Sequence, residues 1–238
     1  MEDRVNPDTT VILLAGGAGR RFGSGNHKLL VPVAGRPLLA YALETARSLP
    51  FVRRVVIPCH PDVQEVAERL ALLAGGEGAG GAEIVLCGGG ETRASSVEQA
   101  LVHAGEGRLL IHDAARPLAS GALFERVAAA IAPGIGVIPV VPAVDAVLML
   151  RGEGAGAAYL PQGEPALVQT PQGFFAAEYR AAREAIGAQA NALGDDGEVF
   201  LAAGYALRTV EGEPTNIKVT YAADLRIVRS LWSGADDG

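Results

Sequence analysis

Lysine is nearly missing from this 238-residue chain: Lys28 and Lys218 are the only two, against 18 arginines. Cysteine is equally scarce. Cys59 and Cys87 lie in apolar, strand-like runs without CxxC spacing, which argues against a disulfide framework and for buried free thiols. The four histidines (His27, His60, His103 and His112) form no metal-ligand pattern. Positive charge is in deficit, with 20 Lys+Arg against 27 Asp+Glu and a net charge of −7, so a global basic surface for nucleic acid or acidic membrane is excluded. Long apolar runs are also absent. The most apolar stretch, GVIPVVPAVDAVLML, is broken by two prolines and Asp145 and is too short to span a bilayer. The opening MEDRVNPDTT carries acids and proline where a signal peptide would have a basic segment and an apolar core, so a cytoplasmic location is expected.

What remains is a globular composition: 49% apolar, 20% charged, with 31 glycines that show no collagen period. Strand and helix signals alternate. TTVILLAGG, VRRVVIPCH, AEIVLCGGG, RLLIHDAARP and GIGVIPVVPA read as buried strands. Between them RPLLAYALETARSLP, PDVQEVAERLALLAG, SSVEQALVHAG (with a capping box of Ser95 and Glu98) and GALFERVAAAIAP read as helices. This rhythm predicts an α/β fold with a doubly wound, mostly parallel sheet, and ligands outside the carboxyl ends of its strands. Around 145–168 the pattern becomes two apolar runs about a Gly-rich turn, which predicts a protruding β-hairpin arm. The tail resumes with FFAAEYRAAREAIG as helix, YALRTVEG as strand, the segment NIKVT and AADLRIVRSLW as helix. No linker splits the chain, so residues 1–238 are expected to form one domain with the arm inserted.

The first loop, LAGGAGRRFGSGNHKLLVPVAGRP, holds the clearest chemistry. From Thr9 to Leu43 there are four basic residues (Arg20, Arg21, Lys28 and Arg36) and no acid, a local reversal of field suited to a polyphosphate. Glycines after a buried strand let main-chain amides approach an anion. A solvated basic loop is the plain alternative. The spacing Gly17, Gly19, Gly23 is not GxGxxG, and Lys28 is not followed by Ser or Thr, so dinucleotide and Walker A loops are both excluded.

This loop resembles the signature of sugar-phosphate nucleotidylyltransferases. IHDAARP (111–117), QTPQGF (169–174) and NIKVT (216–220), in this order, narrow the resemblance to the 2-C-methyl-D-erythritol 4-phosphate cytidylyltransferases of isoprenoid biosynthesis. The resemblance implies a Rossmann-like nucleotidyltransferase fold, CTP and a small phosphorylated acceptor as substrates, Mg²⁺ as cofactor, and a homodimer joined through the hairpin arm. It places nucleotide contacts on Ala15, Gly16, Gly17, Gly90, Glu91 and Ser96, and catalytic cations on Arg21, Lys28 and Lys218. Asp113, Arg116, Lys218 and Gln162 fall on the acceptor side, with Asp113 also the candidate metal carboxylate. The physics agrees with this set. An anionic acceptor must attack an anionic triphosphate, so cations are needed on both sides of the transfer.

The departures cluster on the acceptor side. A Thr of the family's arm falls on Ala146, its Arg on Gln162, and a third acceptor contact on Gly194. Two other readings therefore stay open on sequence: a cytidylyltransferase for another polyol phosphate or a phosphonate, and a non-catalytic dimeric nucleotide-binding protein.

Overall fold

The computed structural model describes residues 8–17, 22, 27–74, 81–150, 157–159 and 165–233. Its strands are β1 (Thr9–Leu14), β2 (Pro32–Val33), β3 (Arg36–Pro37), β4 (Val52–Cys59), β5 (Glu83–Gly88), β6 (Arg108–Asp113), β7 (Ile135–Pro142), β8 (Leu148–Leu150), β9 (Ala157–Tyr159), β10 (Ala166–Val168), β11 (Gln172–Phe175) and β12 (Ala206–Glu211). The helices are α1 (Leu38–Ser48), α2 (Pro61–Ala74), α3 (Arg93–Leu101), α4 (Gly121–Ala130), α5 (Ala176–Ile186), α6 (Asp196–Ala202) and α7 (Asp224–Ser233).

The central sheet runs β5-β4-β1-β6-β11-β7, and both β10 and β12 pair with β7. β1 lies parallel to β4 on one side and to β6 on the other. Its run TTVILL is buried on both faces, as a strand with helices on either side must be. Two apolar layers follow. Val11, Leu13, Val55 and Ile57 pack with α1 and α4 on one face, while Ile12, Val56, Leu109 and Ile111 pack with α3 and α5 on the other. β4 and β6 leave opposite sides of β1, so the chain's winding reverses there. The crevice opens at the carboxyl ends of β1 and β6, where Leu14 pairs with Asp113.

Two local expectations are revised. The cap of α3 is Thr92, not Ser95: the Thr92 hydroxyl accepts from the Ser95 N–H, and the Ser95 hydroxyl accepts from the Thr92 N–H at 2.9 Å. The two short hydroxyl side chains satisfy each other, and the helix begins two residues before Ser95. Phe174 and Phe175, expected to open a helix, instead close β11, which is antiparallel to both β6 and β7. Its interior position explains the pattern, since Gln172, Gly173 and Phe174 are all buried. NIKVT, assigned to no element from its sequence, forms neither strand nor helix and crosses the crevice, where Lys218 and Thr220 line the cavity.

Within the expected arm, β8 and β9 form an antiparallel pair. β10, its last three residues, joins the central sheet against β7. The cysteines are free thiols, Cys59 buried and Cys87 half-buried, and burial raises the Cys59 pKa to about 12.

Candidate active site

The crevice holds a cavity of about 380 Å³ lined by Gly16, Gly17, Lys28, Ser96, Asp113 and Lys218, together with Leu14, Leu29, Arg93, Ala115, Gly194 and Thr220. Six expected site residues thus meet in one place. Five pieces of the fold deliver them. Gly16 and Gly17 follow β1, Lys28 opens a 3-10 turn, Ser96 sits in the first turn of α3, Asp113 ends β6 and Lys218 lies in the NIKVT crossing. Ala15, Gly90, Glu91 and Arg116 are not among the lining residues. Gly90 stands just behind, its N–H donating to the Ser96 hydroxyl at 3.0 Å. Arg21 and Gln162 lie outside the described residues.

The approach of the β1 loop to the β5 loop is tight. A Cβ on Gly89 would stand 2.7 Å from the Gly16 Cα and 2.9 Å from the Cys59 carbonyl oxygen. A Cβ on Gly16 would meet the Ser96 hydroxyl at 2.5 Å, whereas one on Gly17 would meet nothing within 4 Å among the described residues. Gly16 and Gly89 are therefore glycines for packing, and Gly17 is one for access to the cavity.

Asp113 is the electrostatic centre. Lys218 Nζ lies 2.7 Å from its Oδ2, Arg93 Nε 3.4 Å from its Oδ1 and Arg116 Nε 3.8 Å from Oδ2. Burial alone would raise its pKa, but Lys218, Arg93 and Arg116 outweigh burial and hold the carboxyl well below the usual carboxylate range. Arg93 also donates to Asp196 Oδ2 at 2.6 Å, and Asp196 in turn accepts from the Tyr179 hydroxyl. Burial disfavours the Arg93 cation, yet Asp196 and Asp113 more than restore it and raise its pKa. Lys28 Nζ donates to the Val219 carbonyl at 3.0 Å, one residue from Lys218. The chain's two lysines therefore converge on one segment.

Arg116 is spent on structure. Its guanidinium donates to the Asn216 carbonyl at 2.6 Å and the Val168 carbonyl at 3.3 Å, and the Asn216 amide donates to the Thr170 carbonyl at 2.9 Å. The Val219 N–H closes the set on the Ala115 carbonyl. Three motifs separated in sequence are thus hydrogen-bonded into one wall.

His112 completes that wall and is fully buried. The Thr170 hydroxyl accepts from the Asp113 N–H at 3.1 Å and donates to His112 Nδ1 at 3.0 Å. The other nitrogen, Nε2–H, then donates to the Arg116 carbonyl at 3.3 Å. Burial lowers the imidazole pKa from 6.5 to about 4. The unfolded chain takes up this proton more readily, so the stabilisation is complete above about pH 6.5 and is lost as pH falls toward 4, a change of about 3 kcal/mol for such a shift. Urea denaturation across that range is expected to show the loss in the wild type and a flatter profile in His112→Asn.

Arg93, Asp196 and Thr220 were not anticipated from sequence. One signal was available for Arg93. An arginine at the first position of a helix opposes the helix dipole unless something pairs it.

The model of the family "2-C-methyl-D-erythritol 4-phosphate cytidylyltransferase" matches residues 9–232. A cytidylyltransferase of that description from Cereibacter sphaeroides is 40% identical over 221 residues, covering 91% of this chain and 93% of its own. The crystal structure of the Thermus thermophilus protein of the same description superposes with a TM-score of 0.69 at 30% identity, over 94% of this chain and 98% of that one. A 4-diphosphocytidyl-2C-methyl-D-erythritol synthase from Anaerococcus prevotii, at 22% identity, shares the fold with a TM-score of 0.78 over 96% of this chain and 99% of its own.

Proposed function

The chain belongs to the 2-C-methyl-D-erythritol 4-phosphate cytidylyltransferase family, and from this premise we propose that it transfers CMP from CTP to 2-C-methyl-D-erythritol 4-phosphate. An oxygen of the acceptor phosphate attacks the α-phosphorus, the bond to the β-phosphate breaks, and pyrophosphate leaves. The observation that carries the reading is the cavity itself. Main chain at Gly16 and Gly17, the Lys28 and Lys218 side chains and Arg93 all line it, with the two lysines brought together by the Lys28 contact to the Val219 carbonyl. Two anions can thus be held together. Positioning and charge neutralisation are most of what such a transfer needs from a protein.

We assign Lys28, with Arg21 from the same loop, to the triphosphate and Lys218 to the acceptor phosphate. Ser96, with Gly90 and Glu91 behind it, is assigned to the nucleoside. Arg116 acts by holding the NIKVT crossing in place, because both its terminal nitrogens donate to main-chain oxygens. Among the described residues no three His, Cys, Asp or Glu side chains cluster as a metal cage. Asp113 can still offer a carboxylate oxygen to a Mg²⁺ whose other ligands are phosphate oxygens and water, the usual mode for a nucleotide-borne Mg²⁺. That ion would supply Lewis-acid neutralisation of the phosphates.

Pyrophosphate release from CTP with a panel of phosphorylated acceptors tests the reading. Turnover of another polyol phosphate with none of methylerythritol phosphate would overturn it. Gly194 lines the cavity, and a Cβ there meets only the Glu198 carboxylate, at 3.1 Å. Gly194→Thr therefore asks only a small shift of the flexible Glu198 side chain at its Cβ, and it adds a hydroxyl. It is expected to lower the acceptor KM by about tenfold, the effect of one hydrogen bond to a charged group, with the CTP KM unchanged.

We further propose a homodimer joined through the arm. Val144 is 94% exposed, and Leu148, Met149, Leu167 and Val168 are also exposed on or beside β8 and β10. These exposed apolar side chains give the arm and its base a surface on which a second copy can pack. Sedimentation at micromolar concentration is expected to give twice the chain mass. No helix among the described residues is long and apolar enough to cross a membrane, and we place the enzyme in the cytoplasm with its small phosphorylated substrates.

A further inference from the structure

His27 immediately precedes Lys28 and is almost fully buried. Both ring nitrogens are committed. Nδ1 accepts from the Leu29 N–H at 3.3 Å, capping the 3-10 turn that begins at Lys28. Nε2 lies 2.6 Å from the Gly17 carbonyl oxygen, so it carries the proton and donates. One face of the ring stacks on His60, with centroids 5.3 Å apart and planes 25° from parallel. The His60 N–H donates to the Ala15 carbonyl at 3.0 Å, and the Gly89 N–H donates to the Cys59 carbonyl at 2.7 Å. The neutral ring is therefore a rigid chord between two positions ten residues apart, Gly17 and Lys28's own turn, seated on the loop that also holds Ala15.

We propose that His27 is a positioning residue for the nucleotide donor: its neutral, Nε2-protonated ring fixes the Gly17 main chain and the Lys28 turn at one spacing, so that both meet the same phosphate chain. The proposal rests on the reading of Gly16, Gly17 and Lys28 as the CTP side. It assigns His27 no contact with substrate. Protonation occupies Nδ1 and removes the acceptor for the Leu29 N–H, so acid weakens the chord. The titratable groups facing the ring are His60, Lys28 and Asp62. Burial, followed by His60 and Lys28, lowers the ring's pKa, while the Gly17 contact and Asp62 oppose the shift.

Two variants separate the bonds. Asparagine keeps an acceptor for the capped N–H but is too short to reach Gly17. Glutamine is the longer substitute and can offer an amide N–H to Gly17. Expected for His27→Asn is a CTP dissociation constant, by calorimetry, raised roughly tenfold for the lost hydrogen bond. The acceptor KM and Tm are expected to stay near wild type, and His27→Gln should recover part of the CTP affinity. The acid limb of kcat/KM for CTP, below about pH 6.5 in the wild type, is expected to disappear in His27→Asn. In ¹⁵N spectra at pH 7.5 the ring should be protonated at Nε2. An Nδ1-protonated ring, unchanged CTP affinity in His27→Asn, or equal losses for both substrates with a fallen Tm would each overturn the proposal. A wild type that binds CTP but releases no pyrophosphate would overturn the transferase reading alone, because affinity and tautomer decide His27 separately.

Discussion

Lys218→Met is expected to lower kcat/KM for pyrophosphate release by about 10³-fold, the scale seen when one preorganised charge partner of a transition state is removed. Lys218 is one of only two lysines and the one proposed for the acceptor phosphate, and its ammonium stands 2.7 Å from Asp113 Oδ2. Without it, the attacking phosphate would approach a buried carboxylate with its compact counter-charge gone. Folding should change little, since the side chain is over one-third exposed and Asp113 keeps Arg93 and Arg116 as partners. Lys218→Arg separates charge from shape. A guanidinium is a broad, planar fork and an ammonium a point charge, so arginine should restore only part of the rate. Steady-state kinetics decide the matter: Lys218→Met within threefold of wild type would remove Lys218 from the reaction.

The second large effect is expected from Gly89→Ala. The added methyl would lie within 3 Å of two main-chain atoms, the Gly16 Cα and the Cys59 carbonyl oxygen, and neither can turn aside as a side chain can. Overpacking of this kind costs about 1–3 kcal/mol. If the β1 loop moves to relieve the clash, the displacement falls on Gly16 and Gly17 themselves. Urea denaturation should therefore show lower stability, and calorimetry a CTP affinity weakened by about tenfold or more for a loss of at least 1.4 kcal/mol. Gly17→Ala is the control. Its methyl meets no atom of the described residues within 4 Å, so stability should hold while nucleotide binding alone responds. Equal stability in both variants would mean that the two loops are not locked together.

The parts of the site that were legible in the sequence are those carried by short motifs. Gly16, Gly17 and Lys28 lie in one glycine-rich, basic loop, Asp113 ends an apolar strand, and Lys218 stands out in a chain with almost no lysine. Arg93 and Asp196 were not legible, because their partnership spans 103 residues and exists only once α3 and α6 are placed across β6. The same holds for Arg116. As a string, the DAARP segment suggests a ligand-binding arginine. In the fold its guanidinium is consumed by two carbonyl oxygens that sequence could not bring near. The alternation of β1, β4, β5 and β6 with amphipathic helices was readable from periodicity. β11 was not: four residues, a buried Gln172 and no polar alternation give the period nothing to report.

The convergence of both lysines on residues 218–219 has a practical side. Apart from the α-amine of the chain, an amine-selective reagent finds only two primary amines in this protein, and both line the cavity. The protein thus carries an addressable label in its candidate active site. A fluorophore or crosslinker could be installed there without engineering a handle, and its occupancy would report directly on what fills the site.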